Sequence, residues 1–83
     1  MMRGQVADRV ITCIREATNA SAECAIEPAS HLRGQLRMDS LDICEIILKL
    51  EENFIVQITE AEADKWETVS DVIATVERGT HAS

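Results

Sequence analysis

Apolar residues recur along this chain at helical rather than alternating spacing, and they mark out its elements. Val6, Val10, Cys13, Ile14 and Ala17 fall on one face at about 100° per residue, which predicts a first helix from about Gly4 to Ala17. Thr18-Asn19-Ala20-Ser21 ends it with side chains that compete for backbone hydrogen bonds. Ile43, Ile46, Ile47, Leu50 and Phe54 form the buried stripe of a second helix, Ser40 to about Asn53. Thr59 caps a short third helix, Glu60 to about Lys65, with Glu62 at the capping-box position. Thr68 caps the last helix, with Asp71 as the reciprocal residue; Val69, Val72, Ile73 and Val76 give its buried stripe, and Gly79 stops it, leaving Thr80 to Ser83 as a frayed tail. Phe54-Ile55-Val56-Gln57-Ile58 is β-prone but has no second strand to pair with, so it reads as an extended connector with Phe54 and Ile58 turned inward. Trp66 is expected to be partly buried where the third helix meets the last. Thr18 to Met38, with the single proline Pro28, reads as a long ordered loop pinned by Ile26, Leu32 and Leu36 and holding one short turn. The expected fold class is all-α: a small four-helix bundle, three longer helices and one short, with that loop between helices 1 and 2. Residues 1–83 are read as one domain without repeats.

The start of the second helix is where chemistry concentrates. Asp39 suits an N-cap, and Asp42 suits the reciprocal position and the positive end of the helix dipole. Ser40 is then the first helical residue, with its hydroxyl projecting outward. Opposite the core stripe lie Asp42, Glu45 and Glu52, and among them Leu41 and Leu48. Two leucines among carboxylates, pointing away from the core, require an explanation.

Composition narrows the classes. Apolar residues make up 46% of the chain but aromatics only 2%, so the core is aliphatic, which suits packed helices. No apolar run reaches the length of a membrane span, and Arg3, Asp8, Arg9 and Arg15 interrupt any signal-peptide core, so a cytoplasmic protein is expected. Cys13, Cys24 and Cys44 lack C-x-x-C spacing and partner histidines, which reads as reduced thiols and no metal site. Cys13 and Cys44 both read as packed thiols, and His31 as a surface or loop histidine rather than a base. The net charge of −7 is unevenly spread: Asp39 to Glu77 holds eleven acids against Lys49 and Lys65, while Met1 to Met38 is near neutral. An acidic pole of this kind repels phosphate backbones and attracts basic protein partners, so nucleic acid is not expected as a ligand.

The run Leu36-Arg37-Met38-Asp39-Ser40-Leu41-Asp42, followed by Glu45, Leu50-Glu51-Glu52, Phe54 and Ile58, with Thr68-Val69 opening the last helix, resembles the acyl carrier proteins. The resemblance extends from Ile26 to Val76 and more loosely through Asp8-Arg9-Val10. It implies a monomeric, non-catalytic phosphoprotein that holds acyl groups as thioesters on a covalent 4′-phosphopantetheine arm, in fatty-acid, lipid or polyketide biosynthesis. By position, Ser40 resembles the serine that bears the arm, and Asp39 the neighbour read by the phosphopantetheinyl transferase, which takes the arm from coenzyme A. Leu41, Asp42, Glu45, Leu48, Glu51 and Glu52 sit where the family docks acyl synthases, acyltransferases and ketosynthase-type enzymes through their basic patches. That role would account for the outward leucines as desolvated anchors among steering carboxylates. Ile46, Leu50, Phe54, Ile58, Val72 and Ile73 are the expected lining for a sheltered acyl chain. Like-charge repulsion from Asp39 and Asp42 predicts an arm that stays in solvent. The chain departs from the family pattern at Arg37, which replaces a glycine, at Lys49, which interrupts the acidic helix, and at Ile55 and Val56, which replace polar residues. These departures leave open a carrier dedicated to one pathway beside a housekeeping one. The alternative is an unmodified acidic adaptor that docks basic partners through the same helix. A calcium-responsive protein is disfavoured because no D-x-D-x-D-G loop is present.

Overall fold

In the computed structural model, which describes residues 3–18 and 25–81, four helices surround an aliphatic centre. They are α1 (Arg3–Thr18), α2 (Ser40–Asn53), α3 (Glu60–Asp64) and α4 (Val69–His81). The expected all-α bundle with three longer helices and one short helix is the observed one. The expected end of α1 at Asn19-Ala20-Ser21, the thiol of Cys24 and the tail beyond His81 lie outside the described residues.

Helix α1 packs chiefly against α2 and α4. Val10, Ile14, Leu32, Ile46, Leu50, Val69, Val72 and Val76 are fully buried between them. Each such side chain contributes about 1.5–3 kcal/mol by leaving water, so this aliphatic centre is the main source of stability. Phe54 ends α2 in an extended conformation, donating its N–H to the Leu50 carbonyl at 2.8 Å. Its ring turns inward and lies 5.4 Å beneath the Arg9 guanidinium of α1, a cation–π contact. Ile58 is buried as well, so the β-prone stretch is the expected connector.

The described part of the long loop, residues 25–39, is stapled to the start of α4 rather than merely pinned by side chains. Leu32 N–H donates to Glu67 O at 2.9 Å, Val69 N–H to Ser30 O at 3.0 Å and Ser70 N–H to Pro28 O at 2.8 Å. Together they give an isolated antiparallel bridge between His31 and Thr68. Ile26 and Leu32 are buried, and a turn at His31 closes through Gln35 and Leu36 N–H groups on the His31 carbonyl. Trp66 is more buried than expected, at 5% exposure, because its indole N–H finds Thr75 Oγ1 at 2.8 Å and so can leave water at little cost.

Gly79 does not stop α4. The helix continues to His81, and a Cβ at Gly79 would lie 2.8 Å from Val56 Cγ1. Its glycine is required by the close approach of the connector, not by a left-handed terminus.

Candidate functional site

Ser40 is mounted from both sides. On the N-terminal side, buried Met38 donates its N–H to Leu32 O at 3.0 Å, which ties the approach to the loop. Arg37 turns the chain there with φ of 55°, a left-handed conformation in the position where a glycine was expected. On the helical side Asp39 caps α2 reciprocally: Asp42 N–H donates to Asp39 Oδ1 at 3.0 Å, and Asp39 N–H to Asp42 Oδ2 at 3.2 Å. The result is an exposed Ser40 as the first residue of α2, as expected.

Beside it lies a cleft of about 230 Å³, lined by Arg33, Ser40, Ile43, Cys44, Ile47, Glu60, Ala63 and Asp64. One wall is α2, the other the short α3, and Arg33 enters from the loop. Helix α3 is held by its own reciprocal cap between Thr59 and Glu62. Five residues are too few for α3 to cover the face of α2, and that is why the cleft exists. It also explains Cys44, expected to be packed, which is exposed in this cleft one turn beyond Ser40. Cys13 is buried as expected, and burial pushes its thiol above the ordinary value, with the Glu16 carboxylate adding to the effect.

Ile46, Leu50, Phe54, Ile58, Val72 and Ile73, the expected acyl lining, all belong to the buried core. None of them lines the cleft beside Ser40. The residues that do, Ile43 and Ile47, fall three and seven positions after Ser40, so the helical wheel places them on the serine's own face. That signal was available in the sequence; the contribution of Arg33 and Ala63, which depends on how loop and α3 fold back, was not.

The outer face of α2 presents a continuous stripe. Leu41 is 67% exposed and Leu48 61%, and exposed Glu45 and Glu52 complete an i, i+4, i+7, i+11 series. Asp42 is half-buried in the cap, and Glu51 accepts the Ile58 N–H at 3.1 Å, so both carboxylates also have structural work. Lys49 does not interrupt the stripe: its ammonium reaches back to Glu16 of α1 at 3.7 Å. Ile55 is 97% exposed, whereas Val56 packs towards Gly79.

Among the described residues no histidine lines the cleft; His31 is held by the loop, its backbone N–H on Gln35 Oε1 at 2.8 Å. Among the described residues no side chain is hydrogen-bonded to the Ser40 hydroxyl, and an unassisted hydroxyl is a weak nucleophile at neutral pH. Among the described residues no group of three metal-ligating side chains occurs, and no helix is long and apolar enough to cross a membrane.

The family described as the phosphopantetheine attachment site matches residues 8–76 of this chain. The acyl carrier protein of Helicobacter hepaticus is 42% identical over 52 residues, an alignment covering 63% of this chain and 68% of that protein.

Proposed function

Because the chain belongs to the acyl carrier protein family, whose covalent group is 4′-phosphopantetheine, we propose that Ser40 bears that group here. The protein is a carrier and not a catalyst. When bound, the arm supplies a thiol that holds acyl groups as thioesters.

The observation that carries the assignment of Ser40 is its exposure at the capped start of α2, at the mouth of a cleft with apolar walls. The residues present fit the group. An enzyme must bring coenzyme A to the hydroxyl, and exposure leaves room for it. The Met38 hydrogen bond and the Asp39–Asp42 cap hold the backbone at Ser40 in one place while that happens. Ile43, Ile47 and Ala63 offer apolar contact for the arm or the start of an acyl chain beyond it.

Leu41, Glu45, Leu48 and Glu52 form the proposed docking stripe, with Asp39 and Asp42 at its upper end and Glu51 at its lower flank. The leucines supply apolar anchors, and the carboxylates steer Arg and Lys of a phosphopantetheinyl transferase and of acyl synthases, acyltransferases or ketosynthase-type enzymes. In this reading the chain is one carrier domain acting in the cytoplasm, in fatty-acid, lipid or polyketide biosynthesis.

The test is an intact mass after incubation with coenzyme A and a promiscuous phosphopantetheinyl transferase. The wild type gains one phosphopantetheine and Ser40→Ala gains none; an equal gain in the variant would refute the assignment.

A further inference from the structure

We infer that Arg33 binds the phosphodiester formed at Ser40 and thereby lays the arm into the cleft between α2 and α3. This rests on Ser40 as the attachment residue and goes beyond it, because it names a binding residue for the arm on a different segment of the chain. It also replaces the expectation of an arm kept in solvent by Asp39 and Asp42.

The argument is one of charge at close quarters. Among the described residues, three ionisable side chains other than the thiol of Cys44 line the cleft: Arg33, Glu60 and Asp64. A monoanionic phosphodiester on Ser40 is repelled by the two α3 carboxylates and attracted by Arg33 alone. Asp39 and Asp42 also repel it, but each of their carboxylates already accepts a backbone N–H in the reciprocal cap. That contact fixes them at the helix end rather than across the cleft. Arg33 is exposed, and among the described residues it takes part in no ion pair or hydrogen bond, so nothing competes for its guanidinium. A planar fork of N–H donors matches a phosphodiester's two free oxygens better than an ammonium does. Arg37 is closer in sequence to Ser40 than Arg33 is, but it does not line the cleft. With the phosphate held by Arg33, the natural path for the rest of the arm is along Ile43, Ile47 and Ala63.

The experiment uses coenzyme A carrying a nitroxide on its thiol, transferred enzymatically onto the full chain, with relaxation of backbone amides read by NMR. Intact mass first reports whether one arm is attached at Ser40; failure of loading, or loading that persists in Ser40→Ala, overturns the attachment reading and this inference with it. With the arm attached, the wild type shows strong broadening at Ile47, Ala63 and Asp64. In Arg33→Gln the ratio of docked to free arm falls up to about fivefold, the loss expected for one solvent-exposed ion pair. Arg33→Lys retains part of the broadening, and Arg37→Gln, the same change of net charge outside the cleft, retains all of it. Equal broadening in wild type and Arg33→Gln overturns the inference, as does an equal loss in Arg37→Gln, which would trace the effect to overall charge. The apo spectra of the variants establish that each is folded.

Discussion

Arg37 holds φ of 55° in a region that costs a side-chain-bearing residue about 1–2 kcal/mol. Its guanidinium makes no hydrogen bond or ion pair among the described residues that would offset this. Arg37→Gly is therefore expected to raise stability by about 0.5–1 kcal/mol after the entropy of glycine in the unfolded chain is counted, or about 3–6 °C in Tm. A calorimetric scan showing no rise would mean that the turn before Ser40 is not strained. Gly79 is the opposite case. An added Cβ would meet Val56 Cγ1 at 2.8 Å and Val56 Cβ at 3.2 Å, and neither atom is the far end of a flexible chain. Overpacking of this kind costs about 1–3 kcal/mol, which outweighs the helix preference of alanine over glycine. Gly79→Ala should lose about 1 kcal/mol in urea denaturation, and adding Val56→Ala should recover part of it. A loss unaffected by Val56→Ala would place the clash elsewhere. These residues show what local reading can and cannot reach. A glycine near a helix end most commonly stops the helix; at Gly79 the contact with Val56, more than twenty residues away, decides otherwise.

The helices themselves were legible wherever their ends are set by neighbours in sequence. Asp39 with Asp42 and Thr59 with Glu62 are reciprocal caps in the structure because both partners lie three residues apart on the same turn. Asp71 is more loaded than its spacing suggested, since its Oδ2 accepts from Glu67 N–H at 2.8 Å and Thr68 N–H at 3.1 Å. These two backbone hydrogen bonds hold its carboxyl below the ordinary value. A carboxyl depressed in the folded state contributes stability that is present above its unfolded value, about 3.9, and lost as pH falls through the lower folded value. Asp71→Asn should therefore be less stable than wild type by about 0.3–1 kcal/mol at neutral pH, and the two should converge as pH falls below about 4. A difference that persisted undiminished at low pH would show that the cap does not depend on charge. The two faces of α2 were also readable, one aliphatic and one acidic with leucines. The third face, with Ser40, Ile43, Cys44 and Ile47, was not separated from the core stripe, because only the short length of α3 leaves it open.

At the scale of the whole molecule, the bundle was legible because its core is aliphatic and its periods are helical throughout. What the sequence did not reveal is how the parts fold back on each other. The loop is joined to Glu67 and the first turn of α4 by three backbone hydrogen bonds, Lys49 is drawn to Glu16 on α1, and Arg33 is brought to the cleft. Each of these is a contact between residues distant in the chain. Their combined effect is to segregate the surface, with an acidic leucine stripe on one side of α2 and a cleft with a single cationic wall residue on the other. Ser40 stands between the two, where one face can engage a visiting enzyme while the other receives what that enzyme attaches. The most direct measurement of this account is a fragmentation mass spectrum of the protein isolated from its own cells, with the modified residue mapped among its serines. The account predicts phosphopantetheine on Ser40 alone. The group found on another residue, or Ser40 unmodified in every molecule, would contradict it.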